Sequence, residues 1–397
     1  MSTDRFAAPP PTAFGRPNPF ARADRKKSRI GLAGSPAGRP FHRWRGSESA
    51  GMPGASQRLL LLRRRQRVFT ELRSRSRTIA MSFRFIRPLW AVCGAAALSL
   101  GLAAPAAANQ VSARIEGSLL IVRGDNLGNQ IIVSQNAALD LTIRGQNGTK
   151  VNGRDSVVFR RAALQQADIR MAGGNDSVTF TNFAVSNDLY MNLGAGNDTV
   201  RTGSSGSSIG VNLTIEGGLG TDTVSLAGWE TGQDLYVDGQ GGVLQATLTD
   251  TSVMGVLTVI GDTANDRVTL TRCTVGLDTS LELGLGADTV TVTDLLGFSF
   301  WATTDEGADR LTLTSVSVME DFGIFTGTEN DFVSLTDIVS GKNVYVGTDA
   351  GADSVQATDV SAEFDAVFEG GDGVDSLTDR GIFGGEKIEI KEFEIFP

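Results

Sequence analysis

One aspartate recurs along the chain at intervals of 21 to 24 residues, with a single double step between Asp222 and Asp266. A glycine usually stands two residues before it, and an aliphatic residue stands two residues after it. Midway through the double step, Leu244 takes the place of the aspartate. The repeated aspartates are Asp155, Asp176, Asp198, Asp222, Asp266, Asp288, Asp309, Asp331, Asp353 and Asp375. Units this short cannot bury a core alone, so the pattern predicts a solenoid of stacked coils.

Apolar residues flank each aspartate at regular distances. The residue at position +2 from the aspartate is Val, Leu or Ala in every unit, and positions −9 and −7 are mostly apolar. Alternation with a period of two residues predicts short, half-buried strands. The units show no helical periodicity and are too short to alternate strands with helices. We therefore expect an all-β fold, a right-handed parallel β-helix of about eleven coils with a repeat of roughly 22 residues.

The two ends of the solenoid differ from the repeats. Residues 109–150 are predicted to form an N-terminal cap or irregular first coils, with a turn at residues 145–148. Residues 151–385 carry the repeats. Residues 386–397 alternate charged with apolar side chains, which is typical of a capping strand that protects the open edge of a sheet.

An export signal is predicted for residues 81–108. A short basic start follows Met81, an apolar run extends from Leu89 through Ala104, and small residues continue to Ala108. The apolar run is shorter than the roughly 20 residues of a membrane span. This pattern is typical of a secretory signal peptide, with cleavage near Ala108. We expect a secreted protein, extracellular or at the cell surface, with no transmembrane segment after signal removal.

Charge divides the chain into two dissimilar parts. Residues 1–80 contain 18 Lys or Arg and four acids, whereas residues 109–397 contain 16 and 41 respectively. Because a signal peptide 80 residues into a chain is unusual, we expect translation to start at Met81 and residues 1–80 to be a wrongly assigned extension. The alternative is a disordered basic leader. Such a charge run attracts nucleic acid, but export leaves little to bind, so we expect no nucleic-acid partner.

Cysteine and histidine are nearly missing from residues 109–397. Cys273 is the single cysteine there, and His42, the one histidine of the chain, lies in the leader. These counts exclude a disulfide framework. They also exclude Ser-His-Asp or Cys-His catalysis and histidine-ligated zinc in this part of the chain.

The glycine-aspartate turns resemble those of a known class of metal-binding repeat. Residues 217–224 and 370–377 match the nonapeptide of haemolysin-type calcium-binding (RTX) repeats, and residues 194–198 and 284–288 nearly match it. More broadly, the sequence resembles uncharacterised secreted bacterial β-helix proteins with such turns. The resemblance implies Ca²⁺ bound between neighbouring turns. Its implied ligands are Asp176, Asp198, Asp222, Asp266, Asp288, Asp309, Asp331, Asp353 and Asp375. This chain departs from that family by carrying one motif per coil where the family carries two.

The same aspartates have a purely structural alternative. Each carboxylate can accept hydrogen bonds from backbone N–H groups of its own turn, which forms an Asx-turn. Stacked carboxylates about 5 Å apart repel one another, however, by roughly 0.8 kcal/mol per pair in a water-like dielectric. Since few basic residues lie nearby in the sequence, this repulsion favours calcium as the compensating charge.

Four aromatic residues share position −8, between the two inward-facing positions of the strand. They are Tyr190, Tyr236, Trp301 and Tyr345. Because position −8 should face solvent, these rings could stack on sugars of a polysaccharide. The alternative is that they pack over small neighbours, since aromatic residues favour strands in any case.

The pattern as a whole predicts a non-catalytic protein with a structural, adhesive or surface-binding role, whose partners are polysaccharide or other cell-surface or matrix components. The alternative is a polysaccharide-binding or polysaccharide-degrading β-helix protein, a lyase or hydrolase. Arg267 and Arg310 directly follow repeated aspartates, and carboxylates suit acid–base chemistry. The near-constant unit length argues against an enzyme, because long insertions build the clefts of enzymes on this scaffold.

N-terminal sequencing of the purified native protein tests the processing. We expect the first residue to lie at or near Asn109, because the predicted signal ends at Ala108. A native protein that begins at Met1 would contradict both the start at Met81 and the cleavage.

Overall fold

A computed structural model describes residues 109–203 and 206–396 of the chain. Within these ranges the protein is all-β, a parallel β-solenoid of about 10 turns with a repeat of about 22 residues. The predicted fold class is therefore confirmed. No helix in these ranges is long and apolar enough to span a bilayer. The leader, the signal peptide and its cleavage site lie outside the described residues.

The strands are short and closely spaced. In chain order they are β1 (Gln110–Glu116), β2 (Leu119–Arg123), β3 (Gln130–Gln135), β4 (Leu141–Gln146), β5 (Lys150–Val151), β6 (Ser156–Phe159), β7 (Gln166–Arg170), β8 (Ser177–Thr181), β9 (Ala184–Val185), β10 (Leu189–Ala195), β11 (Thr199–Thr202), β12 (Ser208–Ile209), β13 (Leu213–Leu219), β14 (Thr221–Ala227), β15 (Glu230–Thr231), β16 (Leu235–Asp238), β17 (Val243–Thr249), β18 (Ser252–Val253), β19 (Leu257–Ile260), β20 (Arg267–Val275), β21 (Asp278–Glu282), β22 (Thr289–Gly297), β23 (Ser299–Thr303), β24 (Arg310–Val318), β25 (Phe322–Phe325), β26 (Phe332–Ser340), β27 (Val344–Gly347), β28 (Ala350–Gly351), β29 (Ser354–Ala362), β30 (Asp365–Glu369), β31 (Asp372–Gly373), β32 (Ser376–Gly384), β33 (Lys387–Lys391) and β34 (Glu394–Phe396).

Each coil contributes strands to two long sheets. The first sheet has 14 strands and contains the segment before each turn, such as β10, β13 and β16. The second sheet has 18 strands and contains the segment after each turn, such as β20, β22 and β24. Successive coils pair in parallel and in register, as Leu213 with Leu235 and Val268 with Val290. Identical positions of every unit therefore lie in columns along the solenoid.

The columns predicted to face inward form the core. At position +2 every side chain of the stacked coils is fully buried: Val178, Val200, Val224, Ala246, Val268, Val290, Leu311, Val333, Val355 and Leu377. Positions −9 and −7 are buried as well, for example Leu213 and Ile215. Full burial of such a side chain contributes roughly 1.5–3 kcal/mol. The lone cysteine, Cys273, is buried in the same core with a free thiol.

A second corner follows each strand of the second sheet, at position +6. The residue there has a positive φ in every coil for which it is described, as in Asn182, Gly228, Asp250, Arg272, Asp294, Ser315, Asp337, Asp359 and Gly381. Gly, Asn and Asp tolerate this left-handed conformation best and make up most of the column. Strand pairing skips the corner residue, as between Thr271 and Cys273 of β20, and in earlier coils the corner separates two strands, such as β14 and β15.

Close stacking of the turns explains the glycine that most coils carry at position −2. Gly307 has a φ of 144°, and a Cβ built there would overlap the carbonyl oxygen of Gly286 in the preceding coil. Gly196, Gly220 and Gly373 show the same approach to the coil before them. Close contact between turns thus explains why glycine occurs at these positions, without any bound ion.

A first coil lies within residues 109–150, where the sequence predicted a cap or irregular first coils. β2 and β3 already pair in parallel with β7 and β8, and Asn129 stands where later coils carry the aspartate. Residues between Gln135 and Gln166 leave the coil as antiparallel hairpins, with β4 between β3 and β6. Asp155, which the repeat spacing had placed in register, lies on this excursion; its side chain is 84% exposed and ion-paired with Lys150.

The C-terminal segment continues the solenoid. β33 pairs in parallel with β30, and β34 pairs in parallel with β32. Ile388 on β33 is 48% exposed, while the lysines beside it form ion pairs with Glu389. Residues 387–396 thus extend the two long sheets by one more parallel strand each.

Substitution Gly307→Ala tests the stacking argument. We expect it to lower the free energy of unfolding by roughly 2–5 kcal/mol, because the Cβ adds a steric overlap to a strained φ. Gly117→Ala is the matched control, since Gly117 has a φ of 62° with no atom near its Cβ position; it should lose only about 1–2 kcal/mol. Equal losses in urea denaturation would contradict the close-stacking explanation.

Candidate functional site

The nine repeated aspartates from Asp176 to Asp375 form a buried column beneath the turns, which we call the aspartate column. None of their side chains is more than 3% exposed. The alternation of the strand explains this, because the aspartate and the residue at position +2 point to the same side. Nine carboxyl groups therefore lie in one row, about 4.8 Å from coil to coil, with Leu244 in place of a carboxyl between Asp222 and Asp266.

Each carboxyl of the aspartate column accepts a hydrogen bond from the coil before it. The N–H of Asp176 donates to Oδ1 of Asp198 at 2.6 Å, and the N–H of Asp331 donates to Oδ1 of Asp353 at 2.8 Å. All nine Oδ1 atoms accept such a bond, at distances of 2.6 to 2.9 Å. The aspartates thus join neighbouring coils, whereas an Asx-turn would have bonded each one within its own turn.

The second oxygen of the carboxyl is differently placed. In eight of the nine aspartates Oδ2 is buried without a hydrogen-bond partner, and in Asp266 it accepts a long 3.4 Å bond from the N–H of Asp262. Oδ2 of Asp222 packs beneath the turn, where a Cβ built on Gly217 would lie 2.6 Å from it. A buried polar atom without a partner costs about 1–3 kcal/mol. The buried hydroxyls of Thr304, Thr326 and Thr348 lie within hydrogen-bond reach of the carboxyl groups of Asp309, Asp331 and Asp353, so a proton or a cation is called for most clearly at the other Oδ2 atoms.

Burial raises the pKa of Asp176, Asp198, Asp222, Asp266, Asp288, Asp309, Asp331 and Asp353. It raises the pKa of Asp176 and Asp288 to about 8, that of Asp331 to about 7, and that of Asp198 and Asp309 to about 6. Hydrogen bonds from the Thr326 hydroxyl and the Asp309 N–H lower the pKa of Asp331 by less, and neighbouring carboxylates raise it further. Burial therefore favours the protonated form, most strongly at Asp176 and Asp288.

Asn129 shows how a neutral side chain fits the same position. Its N–H donates to Oδ1 of Asp176, as the aspartates of later coils do. Its Nδ2 donates to the carbonyl of Leu127 at 2.8 Å, within its own turn. Its Oδ1 accepts the N–H of Asp125, as Oδ2 of Asp266 accepts the N–H of Asp262, so the place equivalent to Oδ2 accepts a hydrogen bond in the first coil.

The donors and acceptors of the aspartate column fit calcium only in part. An unpaired buried Oδ2 suits a cation, yet Ca²⁺ takes six to eight oxygen ligands, and Oδ1 is engaged by backbone N–H groups. Across residues 109–203 and 206–396, no three acidic, histidine or cysteine side chains come together to hold a metal ion. The contacts favour a structural role through bonds between coils, and not the predicted Asx-turn, for Asp176, Asp198, Asp222, Asp266, Asp288, Asp309, Asp331, Asp353 and Asp375, and calcium at these residues stays a prediction.

Asparagines make a second row of bonds at the same turns. The residue at position −1 accepts a backbone N–H from the following coil where it is asparagine: Ala287 donates to Asn265 at 2.9 Å, and Ala352 donates to Asn330 at 2.7 Å. In the aspartate column the earlier coil donates the N–H, whereas in the asparagine row the later coil donates it. Side-chain oxygens therefore satisfy backbone donors of the turns that strand pairing leaves free.

The arginines considered for catalysis do not face the buried carboxyls. Arg267 and Arg310 are exposed, whereas Asp266 and Asp309 next to them are buried. Successive side chains of a strand point to opposite faces, so each arginine is separated from its aspartate by the backbone. The guanidinium carbon of Arg310 lies 4.1 Å from the centre of the Phe332 ring instead.

The four aromatic residues at position −8 lie in one column on the outer face of the first sheet. Tyr190 and Tyr236 both pair with Thr214 of the coil between them, and Trp301 and Tyr345 both pair with Gly323. All four are part-exposed. The column predicted from spacing is therefore present, although its members have different surroundings.

The two N-terminal tyrosines are engaged by acidic neighbours. The hydroxyl of Tyr190 donates to Oε2 of Glu216 at 2.7 Å, and Arg170 lies over its ring at 5.3 Å. The hydroxyl of Tyr236 donates to Oδ2 of Asp238 at 3.0 Å. Burial and these carboxylates raise the pKa of both phenols, that of Tyr190 to about 12. Their rings are held by local contacts.

Trp301 forms a different arrangement with Phe325, a residue that sequence reasoning missed. The two rings are nearly parallel, at 5°, with centres 6.4 Å apart. Trp301 lies across Gly323, and Phe325 lies across Gly347 at 3.3 Å from the Cβ position. The signal in the sequence was the glycine at position −8 or −6 of the following coil, which leaves room for a ring to lie flat.

Comparison of the chain with known protein families, curated proteins and solved structures finds no match. The assignment of function therefore rests on the site alone.

The raised pKa values predict how stability changes with pH. Because the folded protein binds the aspartate protons more tightly than the unfolded chain, the stabilisation is complete below about pH 4. It is lost as pH rises through about 6 to 8, the pKa values of Asp198 and Asp288. We expect the melting temperature to fall by several degrees from pH 5 to pH 9, since 1 kcal/mol shifts it by about 2–4 °C at this size.

Asp331→Asn should flatten this pH profile and raise the melting temperature at pH 9, because the amide is neutral at every pH. Asp337→Asn is the matched control: Asp337 is exposed at a left-handed corner that asparagine tolerates, so its profile should match the wild type. A wild-type melting temperature that rises between pH 5 and pH 9 would contradict the neutral aspartate column.

Proposed function

We propose that the protein is a secreted, non-catalytic acidic β-solenoid with a structural, adhesive or surface-binding role. The observation that carries the proposal is the burial of the aspartate column, the one reactive group that the sequence repeats. Its nine Oδ1 atoms are hydrogen-bonded to backbone between coils. The repeated chemistry thus builds the scaffold, and function is left to the outer surface.

The exterior suits a binding or structural surface. In-register stacking gives long, regular columns of outward side chains, as along the first sheet. The acidic excess of residues 109–397 keeps such rods soluble and apart. The arginine-aspartate pairs that would support a lyase or hydrolase are divided between the outside and the core.

Calcium binding is a second prediction, supported by the unpaired Oδ2 atoms and by the four turns that resemble haemolysin-type repeats. A calcium ion at Oδ2 would compete with the proton there. Calcium should therefore bind more tightly at pH 8 than at pH 6 and release protons as it binds.

Fractionation of the producing cells tests the proposed role. We expect the protein in the medium or the surface fraction, and we expect cells that lack it to attach less well or to lose integrity of the surface layer. Purified protein should release no reducing ends from a panel of polysaccharides. Turnover that Arg310→Ala removes would instead establish the enzymatic alternative.

Calorimetric titration with calcium at pH 6 and pH 8, with melts in excess calcium and in chelator, tests the metal prediction separately. Binding at several sites, proton release and a higher melting temperature in calcium are expected if Oδ2 holds the ion. Flat titrations with equal melting temperatures would remove calcium and leave the structural role intact.

A further inference from the structure

We propose that a two-column array of hydroxyl side chains on the second sheet binds ice, the crystalline form of water. The array is formed by positions +3 and +5 of five consecutive coils, and we call it the threonine face. Its members are Thr247, Thr249, Thr269, Thr271, Thr291, Thr293, Thr312, Thr314, Ser334 and Thr336. The proposal rests on the surface-binding role proposed above and names the surface that is bound.

The threonine face is regular in two directions. It lies on the neighbouring strands β17, β20, β22, β24 and β26. Adjacent coils pair residue by residue, so that Thr269 pairs with Thr291, and Thr271 pairs with Thr293. The same register holds across all five strands. The hydroxyl side chains therefore repeat at about 4.8 Å from coil to coil and at roughly 6.7 Å from one column to the other.

The side chains of the threonine face point outward. Val290 and Val292 on either side of Thr291 are fully buried, and successive side chains of a strand point to opposite faces. All ten members are part-exposed. Among the described residues, none of their hydroxyl groups has a hydrogen-bond partner in the protein. These hydroxyls are therefore open to water.

Strand propensity alone does not explain the threonine face. Threonine favours strands in general, but the neighbouring outward column at position +1 of the same five coils is mixed. It reads Gln245, Arg267, Thr289, Arg310 and Phe332. The threonine face has no charged member, although residues 109–397 contain 41 acids and 16 basic residues. Two adjacent columns thus keep the same small hydroxyl chemistry where the rest of the exterior varies.

Charge borders the threonine face without entering it. On one side stand Arg267 and Arg310, which are exposed. On the other side, the charged corner residues at position +6 are Asp250, Arg272, Asp294 and Asp337, of which Asp250 and Arg272 form an ion pair. Between these borders, the face offers neither a charge for an ionic polymer nor an aromatic ring for stacking on a sugar.

Ice matches this chemistry and this spacing. A threonine hydroxyl both donates and accepts hydrogen bonds, as each water molecule of ice does, and the methyl group beside it gains from leaving liquid water. The two repeats of the threonine face are close to the oxygen repeats along two perpendicular directions on a prism face of hexagonal ice. Because the β-branched side chain has few rotamers, the array is ordered before binding and loses little entropy on contact.

Partition of the purified protein into slowly growing ice tests the proposal, and the shape of single ice crystals in the protein solution is a second readout. We expect enrichment in the ice fraction and faceted crystals. Thr291→Lys places a strongly hydrated cation in the middle of the threonine face and should abolish both effects, because the ammonium group cannot join the ice lattice. Thr312→Lys makes the same change one coil further on and should act in the same way.

Thr289→Lys is the matched control. It makes the same change on the same strand, in the column where the neighbouring coils already carry Arg267 and Arg310, so it should enter ice as the wild type does. Melting temperatures of the variants should stay close to that of the wild type; if Thr291→Lys unfolds, Thr312→Lys decides the test.

Three results would overturn the proposal: exclusion of the wild type from ice, incorporation of the folded Thr291→Lys or Thr312→Lys variant equal to that of the wild type, or an equal loss in Thr289→Lys. Retention on microcrystalline cellulose together with exclusion from ice would overturn it as well and would assign the face to a polysaccharide. Cell fractionation and attachment do not depend on ice, so the wider functional proposal stands or fails on its own test.

Discussion

The solenoid depends on the hydrogen bond from the backbone N–H of one coil to Oδ1 of the aspartate in the next. This bond repeats along the aspartate column and occurs where the turn has interrupted ordinary strand pairing. Without it, each turn would bury an unsatisfied N–H, which costs about 1–3 kcal/mol. The close stacking that forces glycine at position −2, as at Gly307, is possible because the turns are held together in this way.

The same arrangement creates an electrostatic problem that determines the chemical state of the column. Ionised carboxylates about 4.8 Å apart would repel by roughly 3 kcal/mol per neighbouring pair at an effective dielectric constant near 20. Protonation removes this repulsion and supplies a donor, and Asn129 shows that a neutral side chain is accommodated in the first coil. A cation at Oδ2 would remove it differently. If the column holds protons, the folded protein loses stability as pH rises. If it holds calcium, binding becomes tighter as pH rises, and this contrast separates the two explanations.

Much of the fold could be predicted from the sequence because the repeat encodes it locally. The inward column at position +2 and the outward aromatic column follow from strand alternation, and both lie where expected. The start of the solenoid could not be predicted in this way. In the first coil, Asn129 stands in place of the aspartate, and its N–H donates to Asp176. Asp155 fits the repeat spacing, but it lies on the hairpins after Gln135, outside the coils.

The candidate sites were predictable only in part, for a physical reason. Spacing shows that an aspartate lies on the inward side of its strand, but not whether its carboxyl will meet a backbone N–H, a proton or an ion. The position of Phe325 beside Trp301 depends on Gly323 and Gly347, whose lack of a side chain leaves room for the two rings. Such contacts arise from the register between coils and become visible only after the coils are stacked.

Carbon-13 NMR titration of the aspartate carboxyl groups in the purified native protein would test the central claim most directly. The account predicts at least five aspartates that titrate with pKa values of about 6 or above, as for Asp176, Asp198, Asp288, Asp309 and Asp331. These resonances should disappear singly with the corresponding asparagine substitutions. A folded protein in which every aspartate carboxyl titrates below pH 5 would contradict it.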